Sequence, residues 1–122
     1  SKRRVVMKVV YASRTGNVQK LIDRLGLEAT KIEDGTEKVE GEYLLITYTD
    51  GDGIIPEVVE KFIENNREGL IAAAVSGNSE RHPVTFCDAA DKLCAYYGTN
   101  IVSRFEDAGD EKTDAAILKA LR

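Results

Sequence analysis

No stretch of this 122-residue chain approaches the ~20 consecutive apolar residues of a membrane span, which excludes a transmembrane reading. Two cysteines, Cys87 and Cys94, are too few for a disulfide scaffold. Seven residues apart on one expected helix, they would lie about 10 Å apart along its axis, too far to bridge. Both are expected as buried or half-buried free thiols in a reducing cytoplasm. One histidine, His82, with no Cys/His cluster around it, offers no metal site. Nucleotide motifs are missing too. There is no Gly-Lys-Ser/Thr at P-loop spacing and no Gly-x-Gly-x-x-Gly, which disfavours nucleoside triphosphates and dinucleotides. Basic residues are scarce after the first 27. Residues 1–27 hold seven Lys/Arg against one acid, Asp23, whereas residues 28–122 hold ten against twenty. A chain so acidic over most of its length is a poor nucleic-acid binder. Its basic beginning points instead to a local anion site. Ser1 to Lys8 reads as a strand entry and not a signal peptide, because Lys8 interrupts the apolar stretch and no small-residue cleavage site follows.

What is present is an alternation of strands and helices. Hydrophobic residues at 43% and charged residues at 31% suit a globular chain, and the length suits one domain over residues 1–122. Val5 to Tyr11 is an apolar, β-branched strand, and Gly16 to Leu25 switches to helical spacing through Val18, Leu21, Ile22 and Leu25. Glu28 to Ile32 is a short strand expected at a sheet edge. Tyr43 to Tyr48 is the strongest strand. Pro56 can open the next helix, with Val58, Val59, Phe62 and Ile63 inward. Leu70 to Val75 is a central strand, Pro83 to Tyr97 a helix, Asn100 to Phe105 a fifth strand, and Asp114 to Leu121 a closing helix. Nearly continuous apolar strands separated by helices predict an α/β fold. The expected form is a doubly wound five-stranded parallel sheet, order 2-1-3-4-5, with helices on both faces. Ligands of such sheets sit at the carboxyl ends of the strands, beside the switch between strands 1 and 3.

Three loops at that edge are rich in small polar residues. The first, Ser13-Arg14-Thr15-Gly16-Asn17-Val18, leads into a helix N-terminus. Free backbone N–H groups, the helix dipole and Arg14 favour an anion there, and a phosphomonoester suits it best. A plain helix cap explains the Ser and Thr equally well. The second, Tyr48-Thr49-Asp50-Gly51-Asp52-Gly53, combines a flat aromatic face with two glycines that let backbone approach a ligand. The third is Ser76-Gly77-Asn78. The coincidence of three such loops at one edge carries more weight than any one of them.

These stretches resemble the NrdI family, flavodoxin-like proteins that serve class Ib ribonucleotide reductase. The resemblance rests on Ser-Arg-Thr-Gly-Asn-Val-Gln, Thr-Tyr-Thr-x-Gly-x-Gly-x-x-Pro, Ser-Gly-Asn, the segment Thr85 to Lys92, and Arg104-Phe105-Glu106. It runs from Val9 to about Glu106. It implies FMN as cofactor. Ser13, Arg14, Thr15, Gly16, Asn17 and Val18 would hold the phosphate. Tyr48, Thr49, Asp50, Gly51, Asp52 and Gly53 would line one side of the ring, and Ser76, Gly77 and Asn78 the other. It further implies that the flavin carries the chemistry, with no catalytic acid or base in the protein. The protein would take electrons from a flavin-reducing donor. It would pass a superoxide or peroxide oxidant, or electrons, to the small subunit of the reductase, whose dimanganese–tyrosyl radical cofactor is thereby assembled. The chain departs from the family pattern at two places. After Ser-Gly-Asn the pattern has an aromatic and a glycine, where this chain has Ser79-Glu80-Arg81-His82-Pro83. The glycine-threonine after the Phe-Glu segment is replaced by Asp107-Ala108-Gly109-Asp110. A divergent member, with the second ring face covered differently or left more open, is the expectation.

Two alternatives share this architecture. A receiver-type phosphoacceptor domain would use Asp50 and Ser76, but it needs acids at the end of the first strand to hold Mg²⁺, where Tyr11-Ala12-Ser13-Arg14 stands. A cofactor-free binding module of the same fold is the other.

Overall fold

The computed structural model describes residues 7–122. Its elements run β1 (Lys8–Tyr11), α1 (Asn17–Leu25), β2 (Thr30–Lys31), β3 (Tyr43–Tyr48), α2 (Glu57–Asn65), β4 (Leu70–Gly77), α3 (Asp88–Tyr97), β5 (Asn100–Glu106) and α4 (Glu111–Leu121), with a short 3₁₀ turn at Arg67–Gly69 before β4. All strand pairs are parallel and the sheet order is β2-β1-β3-β4-β5. The fold is flavodoxin-like, and the expected strand order and the edge position of β2 hold.

Alternation along each strand splits the core in two. Val10, Tyr43, Leu45, Ala73 and Val75 point to one face, where α2 and α3 bring Val59, Phe62, Ile63, Ala90 and Leu93. Val9, Tyr11, Leu44, Ile46, Ala72 and Ala74 point to the other, against Val18, Leu21 and Ile22 of α1 and Ile117 of α4. Because both faces are covered, each strand is apolar throughout, which is why it reads as a continuous run. The alanines of β4 are small where the sheet is most crowded, between β3 and β5. At the amino edge Asn66 stitches the turn after α2. Its side chain donates to the carbonyls of Glu37 and Phe62 and accepts from the Val39 N–H.

Several boundaries differ from the sequence reading. Of the first strand, Val5 and Val6 lie outside the described residues, and the ladder begins at Lys8. Strand β2 is two residues where five were expected, because only Thr30 and Lys31 align with Val10 and Tyr11. Strand β4 continues through Ser76 and Gly77, which pair with Phe105 and Glu106. The third helix starts five residues late. Pro83 to Cys87 form a turn, since Cys87 takes a left-handed φ of 55° that no helix can include. Cys87 therefore precedes the helix and is buried, while Cys94 is exposed and not the half-buried thiol expected. The last helix starts three residues early. Asp110 caps it, its carboxylate accepting from the N–H groups of Lys112 and Thr113, and the Thr113 hydroxyl accepts from the Asp110 N–H in return.

Candidate functional site

The carboxyl ends of β1, β3, β4 and β5 surround a cleft of about 140 Å³. Its first wall is the β1–α1 loop, from which Arg14, Thr15 and Asn17 face the cleft. Gly16 makes the turn, with φ 97°, a conformation that side chains other than glycine disfavour. As the residue before α1 it has no side chain to cap the helix, and no acid stands in the first turn. Ser13 Oγ accepts from the Gln19 N–H at 3.2 Å. The N–H groups of Asn17 and Val18 make no hydrogen bond to the described residues. Two open donors at the positive end of a helix, with an arginine beside them, form an anion-binding corner.

The second wall is β3 and its turn. Tyr48 is half-buried and Thr49 and Gly51 face the cleft. The backbones of Asp50 and Ile54 exchange two 2.8 Å hydrogen bonds and so close a tight loop over residues 50–54. Thr49 donates its hydroxyl to the Ser76 carbonyl at 2.8 Å, tying this wall to β4. Burial raises the affinity of the Tyr48 hydroxyl for its proton, with Arg14 pulling the other way and Asp50 adding to the rise. Tyr48 therefore stays a neutral phenol near neutral pH. Arg14 crosses the mouth. Its Nη1 donates to Asp50 Oδ1 at 2.7 Å, and its guanidinium carbon sits 5.0 Å from the centre of the Tyr48 ring.

Ser76, Gly77, Asn78, Arg81, His82, Thr85, Phe86, Cys87 and Asp107 complete the lining. A Cβ on Gly77 would come within 2.9 Å of Cys87 Sγ and 3.2 Å of a Phe86 ring carbon. The glycine is what allows the Phe86–Cys87 turn to seat against β4. Asp107, with a left-handed φ of 47°, receives the Ser76 hydroxyl on its carbonyl and the Asn78 amide on its carboxylate. Asn78 also accepts from the Arg81 N–H, and His82 reaches Asp52 across the mouth at 3.2 Å. Ser79 donates both its N–H and its hydroxyl to Glu106. Burial pushes the Cys87 thiol up to about 11, so it remains protonated and unreactive beside the cleft.

Nine of the residues singled out from the sequence thus line the cleft, Arg14, Thr15, Asn17, Tyr48, Thr49, Gly51, Ser76, Gly77 and Asn78, and Gly16 makes the turn between Thr15 and Asn17. Others point elsewhere. Val18 is buried in the α1 face of the core and does not line the cleft, so at most its backbone N–H could serve the corner. Ser13 is occupied inward by Gln19. Asp50 and Asp52 stand on the rim, one paired with Arg14 and the other with His82. Gly53 faces α3, where a Cβ would lie 2.6 Å from Asp88 Cβ, and its carbonyl accepts from Lys92 at 2.6 Å. The Ser79–Pro83 loop brings no Phe, Tyr or Trp, and the aromatic on the β4 side comes from further along the chain. Phe86, assigned by its spacing to a helix interior, reaches the cleft from the turn ahead of α3. Asp107, Arg81 and Thr85 were not foreseen. The cue for Asp107 was available, since it follows a strand at the same carboxyl edge.

The open helix corner, the exposed part of Tyr48 and the glycine-lined floor fit a ligand with a phosphate at one end and a flat ring at the other. Among the described residues no group of three His, Cys, Asp or Glu could hold a metal ion, and no helix is long and apolar enough to cross a membrane. Comparison with known proteins agrees with the fold and narrows it. Residues 9–119 match the family model described as NrdI Flavodoxin like. The chain is 35% identical over 119 residues to Protein NrdI of Ruegeria sp. (strain TM1040), covering 92% of this chain and 84% of that protein. It is 33% identical over 107 residues to Protein NrdI of Bacillus licheniformis, covering 88% and 81%. Among solved structures it is similar to an oxidised flavodoxin 1 from Bacillus cereus, with a TM-score of 0.64 at 20% identity over 95% of this chain and 99% of that one. A short-chain flavodoxin associated with a non-canonical PDU bacterial microcompartment gives 0.62 at 19% identity, over 98% and 100%. At those identities the structural likeness speaks for the fold alone.

Proposed function

The chain belongs to the NrdI family of flavodoxin-like proteins, and we propose that it binds FMN and supplies an oxidant derived from dioxygen, or electrons, to the small subunit of a class Ib ribonucleotide reductase. The service is assembly of that subunit's dimanganese–tyrosyl radical cofactor, in the cytoplasm, with a separate electron donor reducing the flavin. The observation that carries the cofactor assignment is the α1 corner. Arg14, Thr15 and Asn17 line the same cleft as Tyr48, at a helix start where the N–H groups of Asn17 and Val18 have no partner among the described residues.

Bound FMN would supply one- and two-electron redox chemistry that no side chain here provides. The chain's own residues hold and screen it. Asn17 and Val18 offer N–H donors to the phosphate, Thr15 and Asn17 side-chain donors, and Arg14 a positive charge. Tyr48 and Phe86 give apolar surface to the ring. The 50–54 loop presents backbone to the ring's edge, and its two glycines are not equivalent. Gly53 is locked by Asp88 and Lys92, whereas a Cβ on Gly51 would meet nothing within 4 Å. Gly51 is therefore the peptide able to turn and offer either its N–H or a carbonyl. Partner recognition rests on the family assignment and on the open mouth of the cleft.

The test is reconstitution. The purified protein should take up one FMN and turn yellow. Reduced anaerobically, then mixed with oxygen and a manganese-loaded small subunit, it should generate a tyrosyl radical signal by electron paramagnetic resonance. Failure to bind FMN would overturn the cofactor assignment. Binding without radical formation would overturn the partner.

A further inference from the structure

Arg14 is not placed to serve its expected phosphate-holding role fully. It belongs to the loop that carries the anion corner, yet its guanidinium lies over the Tyr48 ring at 5.0 Å and pairs with Asp50 at 2.7 Å. Both contacts are with the β3 wall. A flat ligand that packs on this part of Tyr48 needs the space the guanidinium holds. The contacts holding it there are individually weak. Arg14 is 56% exposed and Asp50 38%, so the ion pair is screened by water, and an exposed cation–π contact adds about as little. A phosphate at the α1 corner is a stronger attraction for the same guanidinium, because two of its oxygens can be met by two parallel N–H bonds.

Building on the flavin reading above, we propose that Arg14 is a specificity-determining residue that couples recognition of the phosphate to access to the Tyr48 face. Without an anion, the guanidinium occupies the aromatic face and competes with any ring. With an anion at the corner, Arg14 leaves Asp50 and Tyr48 and turns to the phosphate, and the face is freed. The chain thereby discriminates FMN from riboflavin twice. The phosphate gains a partner, and its absence leaves a competitor in the ring's place.

The experiment titrates the flavin-free protein with FMN and with riboflavin at one ionic strength, followed by quenching of flavin fluorescence. The proteins compared are wild type, Arg14→Gln and Asp50→Asn. Arg14→Gln should weaken FMN by about tenfold or more and tighten riboflavin by about three- to fivefold, opposite signs for the two ligands. Asp50→Asn, which loosens the guanidinium from the wall but keeps its charge, should tighten both ligands. If Arg14→Gln moves the two ligands in the same direction, or leaves riboflavin unchanged, Arg14 is an ordinary phosphate or scaffold residue and the coupling is wrong. If wild type binds neither flavin, the cofactor assignment itself falls and the coupling with it. The substituted side chains are at the surface, and an unchanged thermal midpoint confirms that the variants are folded.

Discussion

Gly51 and Gly53 sit two residues apart, both with positive φ, at 45° and 86°. Sequence alone treats them alike, because both read as glycines of a tight turn. Their surroundings separate them. A methyl group on Gly53 meets Asp88 and Thr85 at 2.6 and 3.2 Å, so Gly53→Ala combines backbone strain with a clash against the first turn of α3. We expect it to cost roughly 2–4 kcal/mol, and Gly51→Ala about 1 kcal/mol, from strain alone. Urea denaturation of the two variants checks this, and equal losses would mean that the α3 contact is not what fixes Gly53. The same contrast shows what the sequence makes legible in the site. Small polar residues after β1, β3 and β4 announce the cleft, because the fold puts those loops together whatever their side chains do. Which side chains turn inward depends on tertiary neighbours. Val18 is claimed by the core, Gly53 by α3, and Ser13 by Gln19, and none of these neighbours is adjacent in the chain. Asp107 belongs to the acid run Glu106, Asp107, Asp110, Glu111 and Asp114, which by sequence reads as a solvated helix start, and for the last three that reading holds.

At the scale of elements, strand β3 was legible to the residue, since an unbroken run from Tyr43 to Tyr48 has no competing reading. The start of α3 was not. Pro83 is a good first helical residue, and Phe86, Ala90, Leu93 and Tyr97 fall at helical spacing. What overrides them is the close approach of Phe86 and Cys87 to Gly77, which requires a left-handed residue at Cys87. The N-terminus of α4 carries a pH dependence. Hydrogen bonds from the Thr113 N–H, then from Lys112 and the Thr113 hydroxyl, hold the Asp110 carboxyl below its ordinary value of 3.8, against a smaller opposing effect of burial. A depressed folded value means stability that is present above the unfolded value and lost as pH falls through the folded one. Asp110→Asn keeps an acceptor for the cap but cannot titrate. The wild type should be the more stable of the two at pH 6, by thermal denaturation, and the difference should vanish as the pH falls below 3.8 and the wild-type carboxyl protonates. A gap that persists into acid would place the stabilisation elsewhere.

Over the whole molecule, charge is unevenly arranged. The carboxyl edge of the sheet gathers Asp50, Asp52, Glu106 and Asp107 around the cleft, against Arg14 and Arg81. An anionic reduced flavin in that position would be disfavoured. Removing a carboxylate should therefore raise the potential of the last electron. Asp52, with its side chain 85% exposed, acts through water, so Asp52→Asn should shift it by no more than about 20–30 mV. Asp50→Asn should shift it further, since the Asp50 side chain is only 38% exposed and its charge is less screened by water. Anaerobic titration measures both, and unchanged or lowered potentials would show that the rim carboxylates do not set the field. The same whole-molecule view gives the shortness of β2 a meaning apart from ligands. Its free edge offers two residues of backbone, too few to template a strand from another copy. The opposite edge, β5, is seven residues of Asn-Ile-Val-Ser-Arg-Phe-Glu, apolar enough to recruit a neighbour except where Arg104 and Glu106 stand exposed along it. Crowded or heated, the protein's resistance to sheet-to-sheet growth into aggregates depends on those two charges, which act as gatekeepers on the longer of the two sheet edges among the described residues.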